Sequence, residues 1–216
     1  MTSDKRSNIH PLAVGLPTDG REIEQLSHRM IDEKMSQLEV DPTIGPIARR
    51  VIHATADFSF GESLRVHREA FARAKEAIAA RRPIICDVRM VQAGITKTGC
   101  ETICVIGDPE VQQRAKAVGS TRSAAAMEVL ADRMNGAIIA IGNAPTALWK
   151  VIELAEAGEI DPAVVVGLPV GFVGAAESKQ ALIESDLCYV SNVGPRGGSP
   201  VAAAAVNALA IEALRE

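Results

Sequence analysis

Five short apolar runs, each followed by a stretch with helical spacing, constrain this chain more than anything else in it. They are Pro83-Ile84-Ile85-Cys86, Thr102-Ile103-Cys104-Val105-Ile106, Ala137-Ile138-Ile139-Ala140-Ile141, Ala163-Val164-Val165-Val166 and Leu187-Cys188-Tyr189-Val190. Strands that do not alternate polar with apolar residues are buried on both faces, as in parallel sheets covered by helices. The intervening segments supply the helices: Asp87 to Ala93, Pro109 to Ala117 with Ser123 to Met134, Pro145 to Ala157, Ala175 to Glu184, and Pro200 to Leu214. The expected class is α/β, a single domain with a mainly parallel sheet of five strands or slightly more, flanked by helices on both faces. At 216 residues, 47% of them apolar, the chain suits one such domain and is too short for two.

Ahead of the sheet the pattern is helical. Residues 1–20, with Pro11 and Pro17, read as an arm, and the domain is expected over 21–216. Ile23, Leu26, Met30, Ile31, Met35 and Leu38 recur at helical spacing, with Asp19 or Gly20 as the cap. A second helix, Ile44 to Ala54, is opened by Asp41-Pro42-Thr43. Phe58 to Phe60 fits a short strand or a turn, and Ser63 then caps a helix from Leu64 to Ala80.

Composition removes several function classes. A net charge of -4 and only 3% aromatic residues do not suit general nucleic-acid binding, which needs a basic footprint and stacking surfaces. No apolar run reaches the roughly 18 residues of a membrane span, and the first twenty residues lack a signal-peptide core, so a soluble cytoplasmic protein is expected. Cys100 and Cys104 are the only close cysteine pair, with no matching Cys or His pair nearby, so no metal site is expected.

The candidate chemistry begins with one histidine. On the Ile44–Ala54 helix, Ile44, Ile47, Ala48 and Val51 share a face, while His53 points away from it. Arg49, His53 and Asp57 follow at i, i+4 and i+8, an arrangement that a solvated polar face would also produce. Asp57 either orients the imidazole or caps a turn. Glycine turns follow three of the apolar runs: Gly142-Asn143-Ala144-Pro145, Gly167-Leu168-Pro169-Val170-Gly171, and Arg196-Gly197-Gly198-Ser199-Pro200. Such turns at the carboxyl ends of parallel strands can bring backbone amides to an anion, or can simply join strand to helix. Arg122, in the first turn of a helix capped by Thr121 or Ser123, is on the wrong side of the helix dipole, which suits an anion ligand as well as a solvated side chain. A nucleotide site fits poorly. Gly167, Gly171 and Gly174 lack the G-x-G-x-x-G spacing, Pro169 has no amide hydrogen to offer, and Thr96-Lys97-Thr98 is only a fragment of a phosphate loop.

Several of these segments together resemble one family. Arg49-x-Val51-Ile52-His53-Ala54-Thr55-x-Asp57, Gly119-x-Thr121-Arg122-Ser123-Ala124-Ala125-Ala126, Gly142-Asn143-Ala144-Pro145-Thr146-Ala147-Leu148, the run from Gly167 to Lys179, and Gly197-Gly198-Ser199-Pro200 through Leu209 are similar, in the same order, to the precorrin-8X methylmutases of cobalamin biosynthesis. Ile23-x3-Ser27-His28-x2-Ile31 resembles the family's substrate-touching helix, with His28 where Phe is common. Met90-Val91-x2-Gly94-Ile95-Thr96 is similar to a further family stretch. The resemblance implies an isomerase that moves a methyl group from C-11 to C-12 of a corrinoid, a formal 1,5-sigmatropic shift from precorrin-8X to hydrogenobyrinic acid, or the same step on cobalt-precorrin-8. It implies His53 as general acid, suited to the role by the ordinary histidine pKa of about 6.5. Ser27, Arg122, Thr121, Thr96, Lys97, Asn143, Gly142, Gly197, Gly198 and Ser199 are the substrate-binding candidates. No cofactor and no metal are implied, since the methyl group stays within one molecule. The resemblance also implies a homodimer with shared active sites. A non-catalytic corrinoid carrier would keep the anion turns without needing His53, and a nucleotide-binding oxidoreductase would bind NAD or FAD.

Overall fold

The computed structural model describes residues 19–38 and 40–215. Apart from Asp19 and Gly20, the arm expected for residues 1–20 lies outside the described residues. Asp19 caps helix α1 (Gly20–Gln37), its carboxylate accepting from the amides of Arg21 at 2.9 Å and Glu22 at 3.2 Å. The elements then run α2 (Gly45–Thr55), α3 (Phe60–Ser63), β1 (Leu64–Val66), α4 (Ala70–Ala79), β2 (Ile84–Cys86), α5 (Arg89–Gly94), β3 (Thr102–Ile103), α6 (Pro109–Val118) and α7 (Arg122–Val129). They continue β4 (Ile138–Ile141), α8 (Pro145–Glu156), β5 (Val164–Gly167), α9 (Ala175–Glu184), β6 (Tyr189–Asn192) and α10 (Ser199–Ala213).

These strands form a single sheet in the order β1-β6-β5-β4-β2-β3, parallel throughout except for β1, which runs antiparallel to β6. The class is the expected one, with one strand added. β1 falls where a helix from Leu64 to Ala80 is expected, and that helix begins only at Ala70. Leu64 is buried and Arg65 exposed, a period-two pattern, and the backbone pairs Leu64 with Asn192 and Val66 with Val190 along the sheet edge. Helix α2 also opens differently. Asp41 accepts from the Thr43 amide and hydroxyl, both at 2.8 Å, closing a turn ahead of the helix, and Pro46 takes the first-turn proline position. The second apolar run yields only two residues of strand, Thr102 and Ile103, at the other sheet edge.

Alternate strand side chains feed two cores. Ile84, Cys86, Ile138, Ala140, Val164, Val166 and Val190 pack toward α2, α4 and α10, whereas Ile85, Ile139, Ile141 and Val165 pack toward α6 to α9. Helix α10 is apolar all round, and Val201 to Val206 are buried without a break. It lies between the sheet and α2, and its alanines let α2 approach closely, so Ile47, Ala48, Val51 and Ile52 are buried and His53 faces outward. Reading across from β3, the chain passes from β2 outward to β3 and then returns to build β4, β5 and β6 on the other side of β2. The switch point lies between the carboxyl ends of β2 and β4, where open α/β sheets usually bind ligands.

Gly142 stands at that point in contact with the start of α10. A Cβ there would lie 2.7 Å from Val91 Cγ2 and 2.8 Å from the Ser199 Cα. Gly142→Ala is therefore expected to separate β4 from α10, costing about 1–3 kcal/mol and lowering the thermal midpoint by roughly 2–12 °C, measured by circular dichroism.

Candidate functional site

The carboxyl edge of the sheet collects most of the residues singled out in the sequence. His53 lies in the last turn of α2 and is exposed. Ser27, from the middle of α1, reaches it: Ser27 Oγ and His53 Nδ1 are 3.0 Å apart. If the hydroxyl donates to Nδ1, Nε2 carries the exchangeable proton; in the other tautomer, Nε2 is the base. In either case the serine engages Nδ1 and leaves Nε2 as the other acid–base atom of the ring. The ring of His28 stands edge-on to His53, with centroids 5.1 Å apart. Burial, and then the neighbouring His53, lower the His28 pKa, so the second imidazole tends to stay neutral beside the first. His28 Nε2 is buried without a hydrogen-bond partner among the described residues.

Asp57 does not continue the row of Arg49 and His53. Helix α2 ends at Thr55, and Ala56 turns left-handed at φ 55°. The Asp57 carboxylate then accepts from the Ser59 amide at 3.0 Å and hydroxyl at 2.7 Å, and from Arg196 Nη1 at 2.8 Å. Those Ser59 bonds hold its carboxyl below the usual range. Arg49 pairs instead with Asp32 at 2.7 Å. Spacing brings these residues close only while the helix continues, and it does not.

The turn after β4 is also occupied from within. Asp87, directly after β2, is fully buried, and its carboxylate accepts from the amides of Gly142 at 3.1 Å, Asn143 at 2.8 Å and Ala144 at 2.8 Å. The amides of Gly142 and Asn143 that the sequence offered to a substrate anion are thus taken by the protein's own carboxylate, and the exposed Asn143 side chain is left facing outward. Burial pushes the Asp87 carboxyl upward, and the three amides pull it back. The backbone amides at the switch point are thus satisfied from within the protein.

The remaining candidates divide. Thr121 caps α7 by accepting from the Ala124 amide at 3.2 Å and is 2.8 Å from the Thr146 hydroxyl in the first turn of α8, so Arg122 is exposed at the same edge. Gly197, Gly198 and Ser199 lead into α10; the Gly198 amide donates to the Leu168 carbonyl at 2.8 Å, and Ser199 is buried. Thr96 and Lys97 lie apart from these. Their amides donate to Asn207 Oδ1 at 2.9 and 3.0 Å, which pins them beside α10 about 12 Å along the helix from Ser199.

Three residues outside the substrate candidates have structural weight here. Asp87 is one; a carboxylate directly after an all-apolar strand is the available signal. Lys179 is another, fully buried with Ala175, Ser178 and Leu182 on the inward face of α9, with Nζ donating to Asn192 Oδ1 at 3.0 Å and to the Arg196 carbonyl. A lysine at that spacing is the mark a reader could have used. Arg196 is the third, and its exposed guanidinium reaches Asp57. The cysteines act as small hydrophobes: burial pushes the Cys86 thiol up to about 12 and the Cys188 thiol to about 11.

A hollow of about 830 Å³ is lined by Arg73, Arg82, Gly136 and Asp161 at the amino ends of the strands. A smaller one of about 370 Å³ lies beside His28, between Arg49 and Arg50 of α2 and Ile211 and Arg215 at the end of α10.

A doubly wound sheet whose carboxyl edge gathers an exposed imidazole with a hydroxyl partner, exposed guanidinium groups and glycine turns is an α/β fold with its polar groups where such folds bind ligands. Residues 22–212 match the sequence profile of precorrin-8X methylmutase, and the chain belongs to that family. It is 40% identical over 213 residues to the cobalt-precorrin-8 methylmutase of Priestia megaterium, covering 96% of this chain and 93% of that one. The precorrin-8X methylmutase of Pseudomonas aeruginosa is 40% identical over 200 residues, covering 90% and 96%. The crystal structure of precorrin-8x methyl mutase from Thermus thermophilus superposes with a TM-score of 0.82 at 37% identity, covering 90% of this chain and 96% of that one.

Among the described residues no carboxylate pairs with Lys179, and burial pulls its ammonium down to about 8. Below that pH both folded and unfolded chains hold the proton and the cost of burying it is felt in full; between about 8 and 10.5 only the unfolded chain does. Relative to Lys179→Met, the unmodified protein should therefore gain stability as pH rises through this window, by up to about 3 kcal/mol, measured by urea unfolding.

Proposed function

We propose that this chain catalyses the intramolecular methyl shift from C-11 to C-12 of precorrin-8X, or of cobalt-precorrin-8, with His53 as the acid. The observation that carries the reading is His53 itself, outward at the carboxyl edge and braced at Nδ1 by Ser27. Protonation of the conjugated ring by Nε2 withdraws electron density, the methyl migrates between adjacent carbons, and the proton returns to Nε2. No group is gained or lost overall. Ser27 orients the imidazole and stands close enough to meet the substrate as well. Arg122, Thr121 and the Asn143 side chain, all exposed, together with the half-buried Gly197, meet the acidic arms of the macrocycle, where local positive charge offsets a net-negative chain. Thr96 and Lys97, set back along α10, serve a more peripheral arm.

The working form is a homodimer in the cytoplasm. His53 is exposed, and a second chain laid over it would enclose a ligand of this size. The same edge offers a surface for one: Phe172 is 100% and Val173 88% exposed on the β5–α9 loop, with Val170 and Val193 half exposed beside them. No helix among the described residues is long and apolar enough to cross a membrane.

Anaerobic incubation with precorrin-8X and, separately, cobalt-precorrin-8, followed by visible absorbance, tests the activity; an unchanged spectrum with both defeats it. His53→Ala should slow turnover by about 10²–10⁴-fold while tetrapyrrole binding persists, whereas a carrier would lose neither. Phe172→Glu should convert a dimer to monomers in sedimentation analysis and abolish turnover with it; a variant that stays dimeric and active removes this loop from the interface.

A further inference from the structure

Arg196 was not among the substrate candidates, yet two buried side chains fix its backbone. Its carbonyl accepts from Lys179 Nζ and from Asn192 Nδ2, the latter at 3.1 Å, and Asn192 also donates to the Val193 carbonyl at 3.2 Å. Both Lys179 and Asn192 are fully buried. The next residue, Gly197, cannot carry a side chain, because a Cβ would lie 2.3 Å from the Leu168 carbonyl oxygen. The Gly198 amide donates to that same carbonyl at 2.8 Å, and the Gly171 amide to the Pro195 carbonyl at 3.1 Å. A buried cation with no carboxylate partner among the described residues is an unfavourable way to hold a surface loop. It is intelligible if the position of what the loop presents matters.

What the loop presents is a guanidinium. The Arg196 side chain is 58% exposed, with Nη1 donating to Asp57 Oδ2 at 2.8 Å and to Ser59 Oγ. An arginine fork has five N–H donors, and these contacts use one nitrogen. The rest of the fork faces solvent just beyond the left-handed end of α2, four residues past His53. That is the geometry for a carboxylate approaching from outside, and arginine is the side chain whose planar fork matches one.

We propose that Arg196 binds a carboxylate arm of the macrocycle and helps to set the ring over His53, with Asp57 and Ser59 keeping the guanidinium in place and the Lys179–Asn192 clamp fixing the loop that carries it. The proposal rests on the methylmutase reading for the identity of the ligand. Arg196→Gln should raise KM for precorrin-8X about 10- to 100-fold and weaken hydrogenobyrinic acid binding, followed by absorbance titration, by a similar factor. Its kcat should stay within about threefold, because the contact is made equally in ground and transition states. Arg196→Lys should recover part of the affinity. Asp57→Asn, which loosens the guanidinium without removing it, should raise KM by less than Arg196→Gln does, about 3- to 10-fold. An Arg196→Gln enzyme with unchanged KM and affinity overturns the proposal. So does an Asp57→Asn variant that reproduces both the affinity loss and the fall in thermal midpoint of Arg196→Gln, since Arg196 would then be a structural latch. If the unmodified protein turns over neither precorrin-8X nor its cobalt form, the methylmutase reading fails by itself, and the hydrogenobyrinic acid titration still decides whether Arg196 binds the acidic arms.

Discussion

The contact between α2 and α10 sets the position of everything functional in this fold. Helix α10 has no polar face to turn toward water, so it must be covered on the side away from the sheet, and α2 covers it with Ile47, Ala48, Val51 and Ile52. Because the α10 surface is built from alanines, the helices can approach closely, and the antiparallel arrangement brings the last turn of α2 to the start of α10. His53 reaches the carboxyl edge of the sheet as a consequence, although it belongs to a helix that precedes every strand in the sequence.

Two buried charges of opposite sign organise that edge. Asp87 draws the amides of the β4 turn onto itself and closes the crevice between β2 and β4. Lys179 draws in the β6–α10 loop through Asn192 and the Arg196 carbonyl. Neither is paired with an opposite ion among the described residues; each is satisfied by dipoles of the backbone or of an amide. An ion solvated by fixed dipoles holds a loop in one arrangement, because any other arrangement leaves the charge bare. The amides that usually face a ligand in a doubly wound sheet are thereby taken at the β4 turn, and exposed polar groups remain along the carboxyl edge from Arg122 and Asn143 to Arg196 and His53.

Around His53 the environment is mixed. One nitrogen is engaged by Ser27, and a second imidazole, held toward neutrality by burial, stands edge-on to the ring. A neutral neighbour adds little repulsion when His53 takes up a proton, whereas a charged one would oppose it. The remaining side of the ring is open to solvent.

The sequence by itself determined the parallel sheet, its flanking helices and the outward turn of His53, because burial on both faces and helical periodicity are local patterns with a physical cause. It marked the β5–α9 and β6–α10 loops through their glycines for the same reason. The short β1 escaped it, since three residues at a sheet edge carry too little pattern to be told from the start of a helix. Tertiary structure alone decided which amides were free: nothing near Gly142 signals that Asp87, 55 residues earlier, takes its hydrogen bond. It also turned Asp57 from His53 to Arg196 and brought Ser27 to the imidazole, because partners distant in the chain are chosen by the packing of whole elements, and spacing speaks only for residues on the same one.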